Sequence, residues 1–355
     1  MKLSYIVTVY NSIRYLRETL DSLLAQTWED YEIVVIDDGS VDGSLQVCDE
    51  YVMKFKEKMR CVHQKNQGQI ISRLNGLKYI CGDYVCFIDS DDIVDDMHSQ
   101  EVMNILDGSN IDVLYYGFQN IYSTGERFYR KLVAEFDEGY IDKDTFMKKW
   151  LVCGHLNPLW RKVVKVELME NVPDSFRRRI ITGGDAYISL PVLSKATNIY
   201  YLDKVLLYYR VNKFSISNNY KKGTWKSDEI VLEAKYKYFK EYFKDDKNFD
   251  ELFYLEQMPT LWKNIRNISS RYKRGDERIK FLEEMWEQPV VKCMGQFYTK
   301  YSTKKVIKNA MNNFYWKNWR GVFANVWLYN HSIYVLDSIY NGLKQAYMKS
   351  KEKLN

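Results

Sequence analysis

Proline is scarce in this chain, with 5 residues in 355, and glycine reaches only 17. That scarcity argues against long disordered linkers. No CxxC pair occurs. The six cysteines, Cys48, Cys61, Cys81, Cys86, Cys153 and Cys293, have no histidine at metal-ligand spacing. They read as reduced, mostly buried thiols of an intracellular protein. No apolar stretch approaches the roughly 20 residues that span a bilayer. The N-terminus is no signal peptide either, because Thr8, Tyr10 and Asn11 soon interrupt its apolar run. The chain is therefore expected to start and stay in the cytoplasm, with peripheral contact at the inner face of the cell membrane as the variant. No GxGxxG or GxxxxGK[ST] follows a strand-like segment, which speaks against a dinucleotide-binding domain and a P-loop. Repeats and low-complexity tracts are absent.

A content of 46% hydrophobic and 28% charged residues suits a soluble globular protein, long enough for two domains or for one with an appendage. The net charge of +5 is uneven. Residues 301–355 hold nine Lys and Arg against Asp337 and Glu352, so the basic character belongs to the tail.

The informative stretch is Tyr84-Val85-Cys86-Phe87-Ile88-Asp89-Ser90-Asp91-Asp92. Its first part reads as a strand buried on both faces. Its second part puts three carboxylates at that strand's C-terminal end, where open α/β sheets bind ligands. Such acids repel unless a cation or donors neutralise them. Oxygen ligands without His or Cys suit Mg²⁺ or Mn²⁺, with substrate phosphates completing the shell. The plain alternative is an acidic turn capping the next helix.

Ser4 to Val9 and Glu32 to Ile36 read as two further strands, the second running into Asp37-Asp38-Gly39-Ser40. Cys61 to His63 suggests a short third. Asn11 and Ser12 can cap a helix carrying Ile13, Leu16, Leu20, Leu23 and Leu24. Helices are also expected from Ser44 to Lys56 and over Ile70, Ile71, Leu74 and Leu77. Strand alternating with helix implies an α/β fold with a mostly parallel sheet. Parallel strands then bring both acidic clusters to one edge, which favours the metal reading over the acidic turn.

These segments carry a family resemblance. Tyr5 to Asn11, Leu20 to Thr27, Val34 to Ser40 with Asp42, Asn66-Gln67-Gly68 with Arg73, Asn75 and Gly76, and Phe87 to Asp92 resemble the family 2 glycosyltransferases. The resemblance is strong over 3–97, weaker to about 218 and absent beyond. It implies a GT-A nucleotide-diphospho-sugar transferase fold with a mixed, mostly parallel sheet and inverting chemistry. It implies that Thr8 and Tyr10 line the base pocket, and that Asp38 accepts N3–H of a uracil, as an acceptor-only carboxylate can. Arg73 would reach the nucleotide, Asp89 the ribose or the metal's waters, and Asp91 the metal itself. Asp37 is expected to be structural, and Asp92 is left open between ligand and helix cap.

Farther on, Ile111 to Tyr116 reads as a strand and 119–135 as a polar hairpin. Asn157, Trp160, Arg161 and Lys162 resemble the acceptor-side segment. Asp185, after Thr182-Gly183-Gly184, is either a helix N-cap or the general base the resemblance implies, with Gly184 standing where the family usually has Glu. Arg210, after Tyr208-Tyr209 and before Ser215-Ile216-Ser217, could offset phosphate charge. Arg177-Arg178-Arg179 reads as a solvated face.

The expected layout is a catalytic domain over 1–220, with a nucleotide half at 1–97 and an acceptor half at 98–220, then a helical, basic, aromatic region over 221–355. Pro259 is expected to interrupt a helix there. Those helices are expected to pack on the catalytic domain or a second copy, giving a homodimer. Membrane contact through 301–355 is the next choice, and no nucleic-acid motif is present. The expected activity moves sugar from a UDP-sugar to a hydroxyl of a glycan or polyprenyl-diphosphate-linked acceptor, in bacterial capsule, exopolysaccharide or O-antigen synthesis. The rivals are a nucleotidyltransferase, which lacks its triphosphate loop here, and a non-catalytic UDP-sugar-binding or scaffold protein.

Overall fold

The computed structural model describes residues 1–122, 127–128, 136–152, 154–170, 172–176, 180–211, 223–271, 275–297, 305–326 and 329. The chain divides into two compact units. The first holds Met1–Gly223 with Ala234–Tyr242, and the second holds Thr224–Glu233 with the residues from Phe243 on. The expected boundary at 220 lies outside the described residues.

The first unit runs β1 (Leu3–Val9), α1 (Leu16–Leu24), β2 (Tyr31–Asp37), α2 (Ser44–Lys54), β3 (Met59–His63), α3 (Gln69–Gly76) and β4 (Tyr84–Asp89). It continues with β5 (Ile93–Val94), α4 (His98–Leu106), β6 (Val113–Tyr122), β7 (Arg127–Phe128), β8 (Gly139–Ile141) and α5 (Lys143–Val152). Then come β9 (Lys162–Lys165), α6 (Val166–Glu170), α7 (Gly184–Lys195) and β10 (Ile199–Val211).

The sheet order is β3-β2-β1-β4-β9-β6-β10-β5, with β7 on β6 and β8 on β10. β1 pairs in parallel with β2 and β4, and β2 with β3. The antiparallel β9 sits between β4 and β6. β10 runs parallel to β6 and antiparallel to β5.

All seven residues of β1 and of β2 are buried, as strands covered on both faces must be. Leu3, Tyr5, Val7 and Val9 join Leu16, Leu20, Leu23, Val47 and Val102 in the main core. Residues of the other parity face α3. A Cβ on Gly76 would stand 2.7 Å from Ile6 Cγ2, so that glycine lets α3 lie close on β1.

The start of α1 differs from expectation. Asn11 does not cap it. It adopts φ 51°, and its Oδ1 accepts the Val41 N–H at 2.9 Å, so its side chain closes a loop against the end of β2. The expected hairpin is present as β6 and β7, with its tip outside the described residues.

The second unit is helical. It takes the first part of α8 (Thr224–Tyr242), then α9 (Phe249–Arg271), α10 (Gly275–Trp286), α11 (Pro289–Met294) and α12 (Lys305–Tyr315). Pro259 lies inside α9 and does not end it. The lost N–H bond is tolerated because Phe253, Met258, Leu261, Ile265 and Ile268 are buried on either side of it. The helix expected over Ile333 to Tyr347 lies outside the described residues, as do Arg177–Arg179 and Ser215–Ser217. Among the described residues no helix is long and apolar enough to cross a membrane.

Candidate active site

Strand alternation sorts the acids. Asp37 has the parity of Ile33 and Val35 and points into the α2 side, where Oδ2 meets His63 Nδ1 at 3.0 Å. His63 Nε2 reaches Asp49 of α2, also at 3.0 Å. Partial burial opposes charge on His63. Hydrogen bonds to Asp37 and Asp49, with Cys61 adding to them, outweigh it and raise the pKa to about 9. Asp37 is thus structural. Because the folded pKa lies above the unfolded one, His63 adds stability that is complete below about pH 6.5. That stability is lost as pH rises through about 9. The melting-point gap between the wild type and His63→Gln should be widest at pH 6 and close by pH 10.

Asp38, Thr8 and Asp89 belong to the opposite face, beneath α3. Thr8 stands in register with Asp89 on β4. Its buried Oγ1 has no hydrogen-bond partner. The Asp38 carboxylate is buried and accepts Gln64 Nε2 at 2.7 Å and the N–H groups of Gln67 and Gly68, both at 2.8 Å. Gly68 takes φ 94° to present that N–H, which a side chain would resist. Asp38 therefore holds the Asn66-Gln67-Gly68 turn, besides any contact it makes with a base. Tyr10, two residues after Thr8, is open to solvent at 52% exposure.

Arg73 joins the two ends of the site. It leaves α3 fully buried, at 1% exposure. Nη2 donates to Asp89 Oδ1 at 2.7 Å, and Nη1 donates to Asp185 Oδ1. Gln69, one turn earlier on α3, adds a bond to the same Asp89 oxygen at 2.9 Å. Burial works against the guanidinium charge, but Asp185 and Asp89 more than offset it. Burial raises the Asp89 pKa; Arg73 pulls it down and Asp185 adds to the rise. Asp185 begins α7 behind Gly183, which adopts φ 76° as N-cap. Among the described residues its Oδ2 meets only a long contact of 3.4 Å from the Leu159 N–H, and the residue is 26% exposed. That oxygen is the open face of the acid. Gly184 leaves room for α3, because a Cβ there would lie 3.0 Å from Ile70 Cγ1.

Past β4 the chain turns through Ser90, Asp91 and Asp92. Asp92 is fully buried, and its Oδ1 accepts the Arg210 N–H of β10 at 2.8 Å. It caps no helix, since α4 starts after Met97 with no side-chain cap. Among the described residues its Oδ2 has no hydrogen-bond partner. Burial, then the charges of Asp91 and Asp89, push its pKa well up. The Arg210 charge offsets part of that rise, and its side chain is already engaged: Nε donates to Asp91 O at 2.8 Å, Nη2 pairs with Glu18, and the guanidinium lies 4.4 Å from the Tyr15 ring centre.

The model of "Glycosyl transferase family 2" matches residues 4–167. Those residues are a family 2 glycosyltransferase domain. Glycosyltransferase GlyA of Streptococcus pneumoniae serotype 4 is 30% identical over 225 residues, 61% of this chain and 31% of GlyA. The chain thus matches about a third of that relative's length. Glycosyltransferase GlyG of the same organism is 27% identical over 243 residues, 66% of this chain and 78% of GlyG. TarS 1-349 of S. aureus, crystallised in complex with UDP-GlcNAc, superposes with a TM-score of 0.65 at 19% identity. That match covers 94% of this chain and 92% of TarS 1-349. The shared feature is the fold, a mixed and mostly parallel sheet with helices and a helical C-terminal part. This is the GT-A architecture expected from the sequence.

Within the family 2 domain the acceptor-side residues sit differently from expectation. Trp160 is a core residue. It stacks on Tyr209 at 5.1 Å and meets Phe118 edge-on at 4.7 Å, and the large ring is better buried than presented to solvent. Asn157 uses its Oδ1 to accept Trp150 Nε1 at 2.8 Å. His155 is exposed. Sequence reasoning missed Gln69, although its spacing of four from Arg73 puts both on one face of α3. Lys162, grouped from the sequence with the acceptor-side residues, is buried as well, at 1% exposure.

Proposed function

We propose that this chain is an inverting glycosyltransferase that moves a sugar from a UDP-sugar to a hydroxyl of a glycan acceptor in bacterial cell-surface polysaccharide synthesis. The observation that carries it is the Arg73 bridge, which puts Asp89 at the end of β4 and Asp185 at the start of α7 on one guanidinium. Two acids named from separate motifs thus meet at one side chain. In this reading Asp185 Oδ2 takes the proton of the acceptor hydroxyl. The freed oxygen bonds to the anomeric carbon from the side opposite UDP. The bond from that carbon to the β-phosphate oxygen breaks, and UDP leaves with the electron pair.

A UDP donor is supported by the TarS structures, which hold UDP-GlcNAc and UDP in a protein of this fold. In this reading Thr8 Oγ1 near the end of β1, with Tyr10 and Asp38 just past the ends of β1 and β2, would receive the nucleoside. Arg73 acts through the two acids, and Arg210 steadies the Asp91 turn.

A divalent ion fits this site. Among the described residues no three His, Cys, Asp or Glu side chains gather to cage a metal. Mg²⁺ or Mn²⁺ held by one carboxylate and phosphate oxygens needs no cage. Asp91, beside the partnerless Asp92 Oδ2, would hold it. Such an ion supplies Lewis-acid stabilisation of the leaving diphosphate. The 1–220 part is read as catalytic, with 1–97 taking the nucleotide. The basic aromatic helices from 221 on are read as a contact region for a second copy or the inner membrane face, which would suit a lipid-linked acceptor.

Thermal melts with UDP and Mn²⁺ test the donor site. Ligand at 100 times Kd adds about 2.7 kcal/mol of stability. UDP should raise the melting point more with Mn²⁺ than without, and Asp91→Asn should erase that difference. An Asp91→Asn protein with the full Mn²⁺ effect would remove the metal assignment.

A further inference from the structure

Lysine is rarely buried completely unless it is paired with an acid. Lys162 on β9 is 1% exposed and, among the described residues, touches no carboxylate. Its Nζ donates to Leu156 O at 2.9 Å, Asn157 O at 3.0 Å and Ser189 Oγ at 3.1 Å, with Tyr115 OH at 3.5 Å. A buried charge with only neutral partners is costly, and an apolar side chain of similar volume would avoid that cost. The three close acceptors match the three N–H groups of an ammonium.

Those acceptors come from the two segments that meet at the base. Leu156 and Asn157 belong to the irregular 154–161 segment, whose Leu159 N–H reaches Asp185 Oδ2. Ser189 lies on α7 four residues past Asp185, hence on the same side of the helix. The Ser189 hydroxyl also lies 3.3 Å from Asn157 O, closing the link.

We propose that Lys162 is a positioning residue, whose ammonium fastens the 154–161 segment to α7 and so fixes the open oxygen of Asp185 toward the acceptor. This rests on Asp185 being the base. The groups facing Nζ are Tyr115 of β6, Asp185 of α7, Arg161 beside it in the chain and Arg73 of α3. Burial, helped by Arg161 and Arg73 and opposed by Asp185, lowers its pKa to about 7. Deprotonation removes one of the three donors, so the clamp loosens as pH rises through that value.

The test follows UDP release from UDP-glucose, UDP-galactose and UDP-GlcNAc between pH 5.5 and 9, together with hydrogen exchange of the 154–161 amides. In the wild type, turnover should fall on the alkaline side with a midpoint near 7, and 154–161 should lose protection, corrected for intrinsic exchange, over the same range. Lys162→Met should turn over about tenfold more slowly throughout, without that alkaline limb and with donor KM within about twofold. Ser189→Ala removes one acceptor and should move the limb to lower pH while keeping a cooperative melt. It decides the matter if Lys162→Met does not fold. Wild-type turnover and pH profile in Lys162→Met, or an unmoved limb in Ser189→Ala, would overturn the proposal. Turnover retained in Asp185→Asn would instead remove the base reading, so the two failures are separable.

Discussion

Asp185→Asn is expected to lower sugar transfer by about 10²- to 10⁴-fold, the usual contribution of a positioned general base. The amide keeps the side chain's shape and one acceptor oxygen, so Arg73 Nη1 retains a partner. What it loses is an oxygen able to take a proton, and that loss falls on the chemical step. UDP affinity, read from the Mn²⁺-dependent melting shift, should stay within about twofold, because the base acts on the acceptor. Transfer at the wild-type rate would sink the assignment. Parallel loss of transfer and UDP binding would recast Asp185 as a structural partner of Arg73, since Gly183 is the N-cap of α7. A scaffold that only binds UDP-sugar would show no transfer to lose.

How far the sequence reveals this site depends on the range of each contact. β1, β2 and β4 are legible because strands covered on both faces are mostly apolar. The segregation of Asp37 from Asp38 follows from alternation alone, and the structure places Asp37 against His63. The position of Asp185 at a helix start also follows locally, from two glycines before an apolar run. Its partner does not. Arg73 lies 112 residues away, and no periodicity links the two. The antiparallel β9, slipped between β4 and β6, is equally invisible, since its four residues look like the end of a basic loop. That strand takes Lys162 inward and makes Trp160 part of the core. Composition marks such residues as exposed or ligand-facing, and only the fold shows otherwise. Pro259 misled for the opposite reason: a local rule for ending helices was overridden by packing along α9.

Arg73→Met should have the largest effect on stability. It leaves Asp89 and Asp185 facing each other with no cation between them. Breaking a buried ion pair from one side costs about 3–5 kcal/mol. A urea titration should show a loss in that range, and the Asp89 pKa, already raised by burial, should climb further. Transfer should fall by at least about 10²-fold, because a base displaced by an ångström loses that much. Arg73→Lys separates charge from geometry. An ammonium can face one acid but cannot bridge two as the planar guanidinium does. It should recover part of the stability and little of the activity. The double variant Arg73→Met with Asp185→Asn completes the cycle. With one acid neutral, the remaining repulsion disappears, so the double variant should be more stable than the two single losses predict, by about 0.5–3 kcal/mol. Strict additivity would mean that the Arg73–Asp185 contact contributes nothing, and the site would lose its keystone.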